Sequence, residues 1–263
     1  PISMKHRISR FLRTYDNAFI IFFVSVFIIS FAFIENGGNF TIGRLPPKVL
    51  LTLPGDFPSY AWRFLCSFFL LGVFPLTACL LIGKKPYELG LVSPKPLFYK
   101  KWIFIPLGAG IVIFSLINAY SPGLFAFYPY ADSLVGAVGS RGALPFLLHA
   151  AGYTLFFYLP WEITFRGALI LPFVYILTER RKTPERWETV PILLTVALLQ
   201  TIPSSLLHFG HPYMETLGAV AFGALMAVVV LRTRSILWPV VIHAGAGVTM
   251  DLFIILRKLE VMP

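Results

Sequence analysis

Charged residues are scarce in this sequence of 263 residues. They make up 13% of it, whereas soluble domains carry about 25% charged residues. Hydrophobic residues account for 57% and aromatic residues for 16%. Because a soluble fold of this size needs far more polar surface than these residues supply, a soluble globular domain is excluded. The composition predicts a single domain embedded in a lipid bilayer, covering residues 1–263.

Cysteine is also rare. The chain has two, Cys66 and Cys79, which lie thirteen positions apart in an apolar stretch and form no Cys-x-x-Cys pair. Disulfide frameworks and thiolate metal sites use other spacings, so both cysteines are expected to be packing residues. The His-Glu-x-x-His spacing of zinc peptidases is absent as well. These patterns predict no cofactor.

Acidic residues are few compared with basic ones. There are 12 Asp and Glu against 22 Lys and Arg, which gives a formal net charge of +10. Such an excess can indicate a nucleic-acid partner, but here the basic residues lie at the ends of apolar runs and are not interleaved with aromatic residues. No nucleic-acid partner is predicted, and the pattern is typical of membrane orientation.

Long apolar runs are the main feature that the sequence does contain. A membrane-spanning helix needs about 20 mostly apolar residues, and seven stretches reach or approach that length. The alternating segments of about 10 residues that form a transmembrane barrel are absent. We therefore predict an all-α fold, a polytopic transmembrane bundle of seven to eight helices. The stretches are Ala18–Ile34, Phe64–Ile82, Trp102–Tyr120, Ala143–Leu177, Val190–Leu207, Leu217–Leu231 and Ile236–Leu256.

The distribution of Lys and Arg predicts how the chain is oriented. The basic start PISMKHRISRFLRTYDNAF has no small-residue cleavage site after its apolar run, so it is expected to be an anchor and not a cleaved signal. With a cytoplasmic N-terminus, fifteen of the 22 basic residues fall on the cytoplasmic side and six on the opposite side, with Arg166 inside the membrane. The positive-inside rule favours this multi-pass arrangement.

One apolar stretch, YLPWEITFRGALILPF, contains two charged residues, Glu162 and Arg166. A charge at the bilayer centre costs about 2.5 to 3.5 kcal/mol on insertion scales, so such residues are usually paired. The two lie four positions apart on one helix face, and the simplest interpretation is an ion pair. Pro160 is expected to kink this long stretch, and irregular backbone at membrane depth is tolerated where it lines a cavity.

Two histidines accompany this glutamate on other apolar stretches. His208 closes the fifth stretch and His243 lies inside the seventh. Sites in helix bundles are built from side chains on facing helices, and an acid with two histidines on three segments fits the requirements of an active site. Glu162, His208 and His243 are therefore predicted to converge on a hydrated cavity.

Three motifs follow one another in the C-terminal half: WEITFRG, SSLLHFGHPYME and VIHAGAGVTMD. Together they resemble the motifs of the CPBP family of intramembrane proteases, the Abi-type family that includes CAAX prenyl endopeptidases and bacteriocin-processing proteins. The loop PYELGLV resembles the segment that precedes the family core. The resemblance covers residues 87–251 and implies a catalytic core there.

The first motif departs from the family pattern at one position. The family has two adjacent glutamates, with an arginine four residues after the second and a glycine next. Alignment on Arg166 and Gly167 places Glu162 at the second glutamate, which braces the arginine, and Trp161 at the first, which activates water. By strict position the chain thus lacks the water-activating residue, although it resembles a branch of the family in which tryptophan precedes the glutamate.

The second and third motifs align on His208 and His243. As in the branch with tryptophan, a proline and an acid follow the histidines of the second motif, here Pro212 and Glu215, and the third motif is rich in glycine. Gly247 stands where the family has an asparagine four residues after the third-motif histidine, which leaves the donors for the oxyanion undefined. Asp251 closes the third motif.

These observations favour an intramembrane endopeptidase that hydrolyses a peptide bond of a membrane-associated protein or peptide. Glu162 is predicted to act as the base, with His208 and His243 positioning water and the oxyanion. The bilayer and the protein or peptide substrate are the predicted partners. The predicted supporting residues are Arg166, Trp161, Glu215 and Asp251.

Three alternatives stay open at this point. Glu162, His208 and His243 are an admissible set of zinc ligands with one open position for water. A protein with Trp161 in place of the first glutamate is, alternatively, a catalytically inactive scaffold or binding protein of the same fold. Intramembrane ionisable residues also mark ion paths in transporters, but no repeated pair of interrupted helices is evident.

The orientation can be tested with reporter fusions. Fusions at Lys84 and at Arg181 are expected to report the same, cytoplasmic side of the membrane, because both positions lie in basic loops. Reporters on different sides would contradict the predicted topology.

Overall fold

The structure, a computed structural model, describes residues 56–81, 83–92, 101–172, 186–208 and 210–263. Within these ranges every regular element is a helix, and eight continuous helices are present. This confirms the predicted all-α membrane bundle. The predicted first anchor, Ala18–Ile34, and the loop that contains Arg181 lie outside the described residues.

We number the helices along the chain and count a helix as continuous where α-helical and π-helical turns follow without a break. Two helices are composite: α1 covers residues 57–81 and α5 covers residues 143–168. A 3-10 turn, Pro86–Leu89, follows α1. The other helices are α2 (Lys101–Ala119), α3 (Pro122–Phe127), α4 (Ser133–Arg141), α6 (Arg186–Leu206), α7 (Tyr213–Thr233) and α8 (Leu237–Lys258).

Six of the predicted apolar stretches fall wholly or partly in the described residues, and there each of them is mainly helical. Among these residues, Tyr60–Leu81, Tyr213–Thr233 and Leu237–Lys258 are long and apolar enough to cross a membrane, and Ile105–Ala119 is a shorter apolar helix. Two short helices, α3 and α4, were not predicted because neither carries a long apolar run. Pro122 occupies the first turn of α3, where its missing N–H costs nothing.

Helix α5 departs from regular α-helical geometry on both sides of Pro160. The single α-helical turn Leu159–Glu162 lies between two π-helical segments, Thr154–Tyr158 and Ile163–Ala168. Wide turns of this kind are rare and often mark functional sites. The irregularity predicted at Pro160 is therefore present as wide turns. The continuous helix ends at Ala168, and the predicted end at Leu177 lies outside the described residues.

Helix α1 packs against this irregular part of α5 through its own wide turns, Phe68–Val73. Gly72 faces Pro160 so closely that an added Cβ would lie 3.2 Å from the proline Cβ. The Thr164 hydroxyl donates a hydrogen bond to the Leu71 carbonyl. The two irregular segments thus fit each other, and the contact fixes the part of α5 that carries Glu162.

Helix α8 connects the two ends of the bundle. At one end the Ile236 amide donates to the Gly90 carbonyl over 3.0 Å, which joins the start of α8 to the loop after α1. At the other end the Lys258 ammonium donates to Asp132 over 3.2 Å. The loop that contains Lys84 and the end of α8 therefore lie at opposite ends of the molecule.

The core is centred on α5. The largest cluster of buried apolar side chains includes Trp161, Phe165 and Ile170, together with Leu71 from α1. Both cysteines are buried and free, as expected. Many large apolar side chains on the outer helix faces are exposed, which suits contact with lipid. They include Ile105, Ile117, Leu147, Leu198 and Val228.

The contact between α1 and α5 predicts that Gly72→Leu destabilises the fold. The added side chain meets the rigid ring of Pro160, and overpacking of this kind costs about 1 to 3 kcal/mol. We expect a lower midpoint of thermal unfolding in detergent, followed by fluorescence-detected size exclusion. Gly110→Leu on α2 is the matched control, since a Cβ there meets nothing within 4 Å. Equal midpoints for the two variants would contradict the packing argument.

Candidate active site

Glu162 and Arg166 form a buried ion pair on α5. The Glu162 side chain is 0% exposed and that of Arg166 1%, with 3.1 Å between Arg166 Nε and Glu162 Oε2. The predicted pairing is thus confirmed. These two atoms are close without being aligned for a hydrogen bond, so charge, not hydrogen-bond geometry, holds the pair. The irregular helix keeps both side chains on the inward face of α5.

The second oxygen of Glu162 is taken by His243 on α8. His243 Nδ1 lies 2.7 Å from Glu162 Oε1. An ionised carboxylate only accepts hydrogen bonds, so Nδ1 carries the proton and a neutral ring keeps its lone pair on Nε2. The His243 side chain is 19% exposed whereas Glu162 is fully buried, so the exposed part of the ring is the edge away from the glutamate.

His208 lies in the turn between α6 and α7, outside the membrane-spanning helices. Its Nδ1 donates to the Ser204 carbonyl over 2.7 Å, which again leaves the lone pair on Nε2. Burial lowers the pKa of His208 to about 4, so the ring is neutral at neutral pH. The two predicted histidines therefore present the same kind of nitrogen.

Trp161 contacts both histidine rings. Its ring centroid is 5.4 Å from that of His208 and 6.2 Å from that of His243, in both cases edge to face. The side chain is buried and packs against Phe157 and Phe165. Trp161, at the position of the family's first glutamate, thus forms an apolar wall of the site.

Two cavities meet at this wall, with volumes of about 70 and about 120 Å³. Each can hold several water molecules, because one water needs about 10 to 15 Å³ of such space. The first is rich in aromatic and polar side chains, such as Arg63 and His211, and the second is largely apolar. Six residues line both, and we call them the junction: Tyr128, Tyr158, Trp161, His208, Glu215 and His243.

Glu162 is not among the residues that line either cavity. Both of its oxygens face Arg166 or His243, so its carboxylate reaches the junction only through the His243 ring. The structure thus brings Glu162 and His243 into contact and places His208 across Trp161. It does not bring Glu162 to a cavity.

Glu215 is the carboxylate that lines both cavities. It lies in the first turn of α7, and its Oε1 accepts hydrogen bonds from the Tyr128 hydroxyl, over 2.7 Å, and from His211 Nδ1, over 3.0 Å. Burial raises the pKa of Tyr128 well above its ordinary value, so this hydroxyl remains protonated and is the donor. Glu215 Oε2 has no hydrogen-bond partner among the described residues.

Tyr158 takes the space that a side chain at position 247 would need. A Cβ added to Gly247 would overlap the Tyr158 hydroxyl. The Tyr158 ring also packs on His243, with 4.6 Å between centroids. No sequence signal singled out Tyr158, because a tyrosine in an apolar run is common. The glycine four residues after His243 was the indirect sign that another group occupies this place.

Asp251, predicted as a supporting residue, lies outside the junction. Its Oδ2 is 2.9 Å from His149 Nε2, both side chains are buried, and Tyr60 bonds to His149 Nδ1. The three residues come from α8, α5 and α1. This cluster connects three helices beyond the site, and the ionisable His149 in an otherwise apolar run was its sequence signal.

The proposed zinc ligands do not fit a shared metal ion. Both oxygens of Glu162 are occupied, and His243 faces Glu162 with the nitrogen that carries the proton. Among the residues that the structure describes, no group of three or more His, Cys, Asp or Glu is placed to hold one ion. No catalytic step is therefore assigned to zinc.

Comparison with known proteins identifies the part of the chain that carries these residues. Residues 142–249 match the family model described as type II CAAX prenyl endopeptidase Rce1-like. No curated protein and no solved structure matches the chain. The matched segment contains Glu162, His208, Glu215 and His243. The resemblance inferred from the three motifs is confirmed over residues 142–249, the segment that matches this Rce1-like model.

Proposed function

We propose that this protein is an intramembrane endopeptidase that hydrolyses a peptide bond of a membrane-associated protein or peptide. The observation that carries the proposal is the junction, where two histidines and a carboxylate line both of two adjoining cavities. A site between an apolar and a polar cavity suits a substrate that is apolar on one side of the cut bond and polar on the other. The Rce1-like domain supports a protease of the CAAX type.

Two nitrogen lone pairs in one site can position a water molecule. Nε2 of His208 and Nε2 of His243 are both acceptors, since each Nδ1 is held by an oxygen. Water donates two hydrogen bonds, so it can be held between the two rings. In this proposal Glu162 contributes through His243, because its carboxylate fixes the tautomer and the orientation of the ring, as a carboxylate does in hydrolytic triads.

The oxyanion of the tetrahedral intermediate needs a hydrogen-bond donor. Tyr158 is the side chain that occupies the place left by Gly247, and it lines both cavities. A tyrosine hydroxyl is a strong donor in such a role. We propose that Tyr158 supplies the donor that an asparagine at position 247 would otherwise supply.

The apolar cavity indicates the substrate class. Its walls include Phe114, Leu124, Phe222 and Met250. The family description names prenyl CAAX endopeptidases, and a prenyl chain or an apolar peptide segment suits these walls. The polar end of the substrate would then lie in the first cavity, beside Arg63 and the tyrosines.

One specific observation favours a second candidate, an inactive scaffold of the same fold. Trp161 replaces the first glutamate of the motif, and Glu162 lines neither cavity. A protein of this kind would bind the same peptides without cleaving them.

The function can be tested with the full chain in liposomes, using a fluorogenic farnesylated CAAX peptide and its unprenylated form. We expect cleavage by the wild type, and a loss of at least about a hundredfold in kcat for His208→Ala and for His243→Ala, because each removes one contact to the water. Leu198→Ala, at a residue exposed on α6, is the control. Binding of both peptides without cleavage by the wild type would favour the scaffold.

The role of Tyr158 gives a separate prediction. Tyr158→Phe is expected to lower kcat by about a hundredfold with little change in KM, as loss of one oxyanion donor does. Gly247→Ala is expected to lower both the unfolding midpoint and activity, since its Cβ meets the Tyr158 hydroxyl. Gly218→Ala is the matched control, because it lines the same cavity with nothing within 4 Å of its Cβ. Full activity of Tyr158→Phe would exclude the donor role.

A further inference from the structure

We propose that Glu215 is the catalytic carboxylate of this site, the group that takes the proton of the hydrolytic water. The inference rests on the proposed function and assigns the chemical role that the family pattern gives to the residue replaced by Trp161. It differs from the expectation that Glu162 is the base. Glu215 differs from Glu162 in its access to the two cavities and in the groups that donate hydrogen bonds to it.

The two glutamates differ in their exposure and in their access to the cavities. Glu162 is 0% exposed, and its oxygens lie 2.7 Å from His243 Nδ1 and 3.1 Å from Arg166 Nε. The Glu215 side chain is 19% exposed and lines both cavities, whereas Glu162 lines neither. A base must reach the proton that it abstracts. Of these two carboxylates, only Glu215 belongs to the junction.

The surroundings of Glu215 hold it in one orientation. The Tyr128 hydroxyl and His211 Nδ1 both donate to Oε1, so the carboxylate is held in one orientation and Oε2 is left without a hydrogen bond among the described residues. The titratable side chains that act on Glu215 come from four parts of the fold. They are Tyr128 and Tyr130 from the segment between α3 and α4, Tyr158 from α5, His208 and His211 from the turn before α7, and Asp251 from α8. The first turn of α7 adds the positive end of a helix dipole, which favours the ionised form.

A structural role alone does not explain this placement. A buried carboxylate oxygen without a hydrogen bond is unfavourable unless a water or ligand binds it, and Glu215 lines two cavities that can hold water. Glu162 Oε2 also lacks a hydrogen bond, but it lies 3.1 Å from Arg166 Nε and Glu162 lines neither cavity. Trp161, at the position of the missing glutamate, contacts both histidine rings.

The reaction balances with one water and no other co-reactant. One of the two hydrogens of the water at the junction turns from a histidine Nε2 to Glu215 Oε2, which takes it as a proton while the water oxygen forms a bond to the scissile carbonyl carbon. The carbonyl π electrons move to oxygen, where the Tyr158 hydroxyl donates to the oxyanion. The intermediate then collapses, the C–N bond breaks, and Glu215 returns its proton to the leaving amine nitrogen. The products are a carboxylic acid and an amine.

The experiment compares Glu215→Gln and Glu215→Asp with the wild type in the liposome assay, with Leu198→Ala as control. We expect Glu215→Gln to lose at least about a hundredfold in kcat, with KM and the unfolding midpoint close to wild type. Glu215→Asp keeps the charge on a shorter side chain. We expect its kcat to lie between those of the wild type and Glu215→Gln, with the unfolding midpoint of the wild type. The acidic limb of the pH profile of kcat/KM should disappear in the residual activity of Glu215→Gln.

Each result separates the inference from the proposed function. An active wild type whose Glu215→Gln variant stays within about threefold in kcat overturns the inference and leaves Glu162 with His243 as the base. If Glu215→Gln fails to fold while Glu215→Asp has the full rate, the role of Glu215 is structural and the inference also falls. A wild type that binds the peptides without cleaving them overturns the proposed function itself.

Discussion

The interaction on which the rest of the structure depends is the buried contact of Glu162 with Arg166 and His243. Two fully buried charges in an apolar bundle are tolerated only because they lie against each other, and removal of one partner of such a pair costs about 3 to 5 kcal/mol. The same carboxylate joins α5 to α8 through His243. It therefore sets both the distance between these helices and the direction in which the histidine ring points.

Wide helical turns make this contact possible. The single α-helical turn around Pro160 would clash with α1 if residue 72 carried a side chain, and the π-helical segments on both sides shift the inward face of α5. Helix α1 packs against these turns with its own π-helical segment, and its Leu71 carbonyl accepts a hydrogen bond from Thr164. Backbone irregularity in both helices thus supports the site instead of weakening it.

The sequence was sufficient for the helices and for part of the site, and the reasons are physical. Apolar runs report burial in lipid directly, and Glu162, Arg166 and His243 are visible because ionisable residues are costly there. Which carboxylate lines a cavity depends on tertiary packing, so the sequence identified Glu215 only as a supporting residue. Tyr158 and Tyr128 were hidden because tyrosine is ordinary in such runs. The short helices α3 and α4, which bring Tyr128 over Glu215, carry no periodic signal of their own.

The wall that Trp161 forms between the two cavities would separate the products of a cleavage. A chain cleaved at the junction leaves one fragment on the apolar side and the other on the polar side of the tryptophan. The indole ring then lies between the new amine and the new carboxylate. One fragment would leave through apolar surroundings and the other through polar surroundings. Fragments that leave from different cavities would not stay together at the site, so the product of one cut would not block the next substrate.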